Sequence, residues 1–226
     1  MNPTIFFSVF SLFYCAFLII TLYSKDEQKS AESKMLKILT FINLGSLICE
    51  AAGIFLGGNY QKYKLINDIA LRLMLVLYVS WYSVFAMFVH NISKRHEKFK
   101  ISNNKIFFAV MVVFMALVTF LPIVYNTNKE GIIIYSSGMA VQVVYYYVMF
   151  CEVLSLGMMF RHIKEVRISN YTSLFMLIML STLSAAIQSY YPSVLLSAST
   201  ETLVLYAAYI NSKKIQLLEK TGINKK

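Results

Sequence analysis

LINDIALRLMLVLYVSWYSVFAMFVHNI, residues 65–92, decides the class of fold. From Leu73 to Val89 it carries no charged side chain. A run of that length crosses the roughly 30 Å hydrocarbon core of a bilayer as one α-helix. Outward from it, comparable apolar runs cover 5–23, 36–58, 106–125, 139–160 and 172–192. The chain of 226 residues is 58% hydrophobic and 14% charged, against about a quarter charged in soluble proteins. Its mean hydropathy is +0.61. A soluble globular domain is excluded, and the expected fold is an all-α integral membrane bundle. The first run is too long, and too poor in N-terminal positive charge, for a removable signal peptide, so it is expected to remain.

A seventh span is read from Ser193 to about Asn211, SVLLSASTETLVLYAAYIN, with Pro192 separating it from the sixth by a tight turn. The basic residues support it. Lys25, Lys29, Lys34 and Lys37, then Lys94, Arg95, Lys98, Lys100 and Lys105, then Arg161, Lys164 and Arg167, and finally the tail hold 17 of the 21 Lys and Arg. The alternate segments hold Lys62, Lys64 and Lys129, with Arg72 inside the third span. Positive charge is retained on the cytoplasmic side. Seven transmembrane helices with the N-terminus outside and the C-terminus cytoplasmic satisfy that asymmetry, whereas six would place the basic tail outside. The net charge of +10 therefore serves insertion and anionic headgroups; the bilayer is the expected partner, not nucleic acid. The location expected is the plasma membrane, with multiple passes.

Cys15, Cys49 and Cys151 lie in apolar runs and are read as small packing residues. No phosphate loop, HExxH or nucleophile motif surrounds His90, His96 or His162. No enzyme activity, cofactor or metal is expected. Spans three to seven contain no lysine for a retinal Schiff base.

Polar groups inside spans are costly and normally face the bundle interior with a partner. Glu50, Arg72, Gln142, Gln188 and Glu201 sit on five helices in the outer half, and Asp68 can pair with Arg72 at i, i+4. They form a candidate ligand pocket for a small molecule or peptide, roofed by Tyr145, Tyr146, Tyr190 and Tyr191; the competing readings are neutralisation of Arg72 and an interfacial tyrosine belt. Glu152 is deeper, either a protonated packing donor or a proton-coupled site. Trp81 is read as packing. Ser193, Ser197, Ala207 and Ala208 permit close helix approach, in a moving or dimerising last span or, more commonly, in static packing. The external connection Asn126–Gly138, NTNKEGIIIYSSG, combines a turn with a β-prone IIIY. It can close over the bundle as a lid, though a connector resting its isoleucines on the membrane surface is the preferred reading.

SAAIQSYYPSVLLSASTETLVLYAAYINSKKIQLLEK, from Ser184, resembles the end of the multi-span N-terminal sensor region of Firmicute-type membrane histidine kinases and diguanylate cyclases. Gln188, Pro192, Tyr209, Ile210, Asn211, Lys214, Ile215 and Leu218 fall on its pattern, and IYSSGMAVQVVYYY, from Ile134, is similar to the opening of the fifth span there. The resemblance implies a sensor domain over 1–211 and a cytoplasmic tail over 212–226 that begins a signalling helix, with Pro192, Asn211, Lys214, Ile215 and Leu218 as relay residues. It further implies a kinase or cyclase output, in cis or in trans; a homodimer is the partner that the small residues of the last span would allow. No histidine follows His162 and no cyclase or ATP-binding motif is present. The chain is thus expected to be either the sensor portion of a larger protein or a stand-alone membrane protein acting through a partner. The alternative is a small seven-span secondary transporter using Glu152 or Glu201, disfavoured by scarce glycine and by an in-span proline only at Pro122.

Overall fold

The computed structural model describes residues 3–24, 31–93, 105–161, 168–193 and 196–220. It contains seven helices: α1 (Pro3–Ser24), α2 (Ala31–Gly57), α3 (Tyr60–Ser93), α4 (Lys105–Phe120), α5 (Met139–Arg161), α6 (Ile168–Tyr190) and α7 (Ser197–Lys220). A two-stranded hairpin, β1 (Val124–Thr127) and β2 (Ile133–Ser137), separates α4 from α5. The fold is all-α apart from this hairpin. Among the described residues, four helical segments are long and apolar enough to cross a membrane: Phe6–Tyr23, Ser33–Gly57, Tyr60–Ser93 and Met139–Arg161. Phe107–Phe120 and Phe175–Tyr190 are apolar but shorter.

The third run is the axis of the bundle. α3 packs on α2, α4 and α5, while α7 closes the far side against α1, α2 and α6. Trp81, Tyr82, Phe85, Phe88 and Val89 of α3 are fully or almost fully buried. Trp81 stacks on Phe85, centroids 5.1 Å apart and planes at 13°, an offset geometry that adds to the area it removes from solvent. Trp81 is thus a packing residue. The outer faces invert the soluble pattern: Phe13, Phe17 and Ile20 of α1 and Met176 and Leu183 of α6 are exposed. Faces so apolar match a hydrocarbon surround, in which the backbone bonds of a helix are satisfied internally. α7 is the exception in composition. Its polar run, Ser197, Ser199, Thr200, Glu201 and Thr202, is buried, so the polarity that weakens its hydropathy points into the bundle.

Among the boundaries that differ from the sequence reading, three shape the hairpin end. α4 stops at Phe120 rather than near 125, because Pro122 cannot continue the helix and the chain enters β1 at Val124. α7 begins at Ser197 instead of Ser193. The third helix starts earlier, at Tyr60, and bends at Tyr63, whose φ of −118° and ψ of 26° are not helical.

The segment 126–138 is a hairpin rather than a plain connector. Asn128 organises its turn: the side-chain Oδ1 accepts from Glu130 N and Ile132 N at 3.0 and 2.9 Å. Gly131, at φ +77°, closes it. The ladder pairs Val124 with Ser137 and Asn126 with Tyr135, with an irregularity at Thr127. Ile133 lies on Gly57, where an added Cβ would stand 3.5 Å from Ile133 Cβ. The isoleucines thus face the end of α2 as well as solvent. Gly138, at φ +107°, joins β2 to α5, and a Cβ there would come within 2.9 Å of Pro122 O and 3.1 Å of Val124 N.

Both glycines occupy conformations that cost an L side chain about 1–2 kcal/mol, but only Gly138 also meets backbone. Gly138→Ala is therefore expected to lower the thermal midpoint in detergent micelles by clearly more than Gly131→Ala; equal midpoints would contradict the close approach at the root of the hairpin.

Candidate functional site

A cavity of about 280 Å³ opens at the hairpin end between α2, α3, α5 and α6. One stripe of α3, Asn67, Leu71, Met74, Leu75, Tyr78 and Tyr82, forms its long wall, because steps of three and four return to one helix face. Glu50 and Cys49 come from α2, Tyr145 and Val148 from α5, and Ala185 and Gln188 from α6. The hairpin supplies the cover, with Tyr125 and Ile132–Ser136 on the lining. The lid reading of this segment thus describes its placement better than the connector reading.

Glu50 is 2% exposed. The Ser8 hydroxyl of α1 donates to its Oε1 and the Tyr78 hydroxyl donates to Oε2 at 3.4 Å. Gln188 holds the start of α7. Its Oε1 accepts from Ser197 N at 3.0 Å, from Leu196 N at 3.4 Å and from the Ser197 hydroxyl. These amides have no partner within their own helix, so a side chain of α6 does the work of a cap. Tyr145 donates to the Gln188 carbonyl at 3.4 Å.

The other sequence candidates lie beside the cavity. Arg72 pairs with Asp68, Nε to Oδ2, at 2.9 Å. Its Nη1 donates to the carbonyls of Thr119 at 2.7 Å, Leu121 at 3.0 Å and Val118 at 3.4 Å. A guanidinium is well suited to the unsatisfied carbonyls at a helix C-terminus, where the dipole also favours a cation. Tyr125 of β1 donates to Asp68 Oδ1 at 2.7 Å and sets its ring 5.1 Å from that of Tyr60. Burial, and then the bond to Asp68, push the Tyr125 hydroxyl well above its usual range. Asp68 and Arg72 therefore anchor the hairpin instead of lining the cavity. Gln142 is exposed.

Glu201 is buried at 1% exposure, one turn along α7 from Ser197 on the cavity lining. Asn43 of α2, with its amide nitrogen turned toward α7, donates to Glu201 Oε2 at 3.0 Å and to Ala198 O at 3.2 Å and accepts from the Thr202 hydroxyl at 2.9 Å; that orientation satisfies both ends of the amide. Glu201 Oε1 has no hydrogen-bond partner among the described residues, nor does either oxygen of Glu152. Of the tyrosines read as a roof, Tyr145 lines the cavity, whereas Tyr146, Tyr190 and Tyr191 are exposed, as an interfacial belt would be. Pro192 and Ser193 are on the cavity lining. Asn211, Lys214, Ile215 and Leu218 lie on α7, but their side chains fall outside the described residues.

Sequence reasoning did not single out Ser8, Asn43, Asn67, Tyr78, Tyr82, Tyr125 or Thr202. The stripe of α3 was the available signal: Asn67, Tyr78 and Tyr82 share the periodicity of the buried apolar positions between them. No protein-family model matches the chain, and no curated protein matches it.

The anchor is separable by mutation. Tyr125→Phe removes one hydrogen bond to a carboxylate and is expected to cost about 1.5 kcal/mol; Arg72→Ala strands three carbonyls and Asp68 together and should cost roughly twice that. Thermal unfolding, with proteolysis mapped to 121–138, checks both; unchanged cleavage in Arg72→Ala would refute the anchoring role.

Proposed function

We propose that this chain is a receptor-like sensory module of the plasma membrane, which binds a small molecule or peptide in the hairpin-covered cavity and relays occupancy through α7. The observation that carries the reading is the position of α7. It begins on the cavity wall, held by Gln188 Oε1, and continues as one helix to Lys220, a distance of roughly 35 Å at 1.5 Å per residue. A ligand that competes for Gln188 acts directly on the end of a rod whose other end is remote from the cavity. Such a ligand shifts α7 only through unequal affinity for two packings of that helix.

In this reading all seven helices span, the hairpin and cavity face outward, and the tail is cytoplasmic. The basic residues support that orientation, since the hairpin carries Lys129 alone of the 21 Lys and Arg. The resemblance to sensor regions of histidine kinases and diguanylate cyclases supports an output of that class, attached in cis or recruited in trans. Glu50 and Gln188 are the binding groups, Asp68 and Arg72 hold the lid, and Asn43 of α2 braces the first turns of α7 through Ala198 O and Glu201. A second reading, proton-coupled transport, draws on Glu152 and Glu201, carboxylates buried among helices without a salt-bridge partner among the described residues. Solute uptake by reconstituted vesicles would favour it over sensing.

A disulfide tests the relay without knowledge of the ligand. Cysteines replacing Gly57 and Ile133 would have their Cβ atoms about 3.5 Å apart, within disulfide range. Oxidation is expected to lock the hairpin down, slow alkylation of Cys49 on the cavity wall, and change hydrogen exchange along Ser197–Lys220; reduction should reverse all three. Exchange in α7 that ignores the state of the lock would sink the relay.

A further inference from the structure

The charge inventory of the cavity narrows the kind of ligand it can take. Glu50 is the one carboxylate on its lining, and no Lys, Arg or His lines it among the described residues. The nearest salt bridge, Asp68–Arg72, is closed on itself and on the carbonyls of α4. Glu201 is buried on α7, and its Oε1 has no hydrogen-bond partner among the described residues. Glu50 and Glu201 are met by hydroxyl and amide donors from Ser8, Tyr78 and Asn43, and neither has a salt bridge among the described residues. A buried carboxyl is accommodated as the neutral acid, or as the carboxylate paired with a cation that arrives from elsewhere. An anionic ligand would oppose its ionisation, a neutral one would leave it uncharged, and a cation would pair with it.

The remaining lining specifies the form of the compensating charge. Tyr78, Tyr82, Tyr125 and Tyr145 surround the space, and aromatic faces attract ammonium groups, most strongly where water is excluded. Ile132, Ile133 and Ile134 of the lid, with Leu71, Met74 and Val144 of the walls, make most of the surface apolar. The volume of about 280 Å³ is near the lower end for small-molecule sites and far larger than a bare metal ion. No group of three or more metal-ligating side chains occurs among the described residues.

We infer that the cavity binds a small organic cation, an ammonium group carried on an apolar body, with the ammonium at Glu50 among the tyrosines and the apolar part under the isoleucines of the hairpin. This assignment rests on the receptor reading above, and deepens it by naming the ligand class. The ammonium supplies the charge that Glu50 lacks, and the hairpin covers the apolar remainder.

Trp81 makes the test direct. It is the single tryptophan, and its ring lies 5.0 Å from that of Tyr82 on the cavity wall. The full chain in nanodiscs of neutral lipid is titrated with hexyltrimethylammonium, n-hexanol and hexanoate while Trp81 emission is followed. The expected result is saturable binding of the ammonium, roughly tenfold or more tighter than either partner, a preference retained in Glu50→Asp and lost in Glu50→Gln. Equal binding of hexanol, or tighter binding of hexanoate, in the unmodified protein would overturn the cation assignment; if that binding vanished in Ala185→Phe, which fills the cavity and leaves Trp81 the single tryptophan, the ligand site itself would stand. Absence of saturable binding by all three probes, with Ala185→Phe no different from the unmodified protein, would overturn the cation assignment and remove the support for a ligand site.

Discussion

Arg72 holds three backbone carbonyls at the end of α4 and the Asp68 carboxylate beside them, and the place of the hairpin follows from those bonds. Among the described residues α4 packs mainly on α3 and α5, so its end needs a partner from inside the bundle. Once Leu121 is fixed there, Pro122 turns the chain, Ala140 N reaches back to Pro122 O at 3.3 Å, and β1 starts next to α3. Tyr125 then meets Asp68, the same carboxylate that aligns Arg72. A charge in an apolar span is expensive; here its cost is offset by donors and acceptors that would otherwise be orphaned at a helix terminus.

The same economy governs the rest of the interior. Several buried polar side chains are shared between helices: Ser8 with Glu50, Asn43 with Thr202, Tyr82 with Ser181 and Ser83 with Tyr147. Each joins elements distant in sequence, so the polar groups fix which faces meet while the apolar faces remain interchangeable on the outside. Glu152 stands apart, buried beside the hydroxyls of Ser181 and Thr182 with neither oxygen hydrogen-bonded among the described residues. A group in that condition is accommodated as the neutral acid or by a partner that arrives from elsewhere.

Apolar length made the helices legible in the sequence. Long apolar runs such as 73–89 have one solution, and the i, i+4 spacing of Asp68 and Arg72 offered the pair that forms, beside Glu50 and Glu201 as other partners for Arg72. The carbonyls that Arg72 takes from α4 were not legible, since hydropathy places Pro122 and Tyr125 within the apolar run and hides where the helix stops. Glu50 and Gln188 stood out because charge and amide are rare in such runs. Ser8 and Asn43 did not, because a hydroxyl or amide inside a span carries no mark of a partner 42 or 159 positions away. Tyr145 and Tyr146 are neighbours in sequence with opposite fates, one on the cavity wall and one outside; helical phase separates them, and phase depends on which face α3 takes.

The hairpin, the cavity and α7 form one mechanical unit in the proposed receptor. The lid rests on Gly57 through Ile133 and on Asp68 through Tyr125, so it is held at α2 and α3. The start of α7 is held from α6 by Gln188, whose main-chain carbonyl also accepts from Tyr145 of α5, and from α2 by Asn43. A ligand between these two sets of contacts touches both without being part of either. If it draws Glu50 and Tyr78 inward, it acts on α1 through Ser8; if it draws Gln188, it releases the first amides of α7. α1 and α7 pack on each other, and Tyr206 donates to Tyr14 O across that contact at 2.9 Å. Both displacements therefore converge on the same helix pair, which is what a module that reports occupancy through its last helix requires.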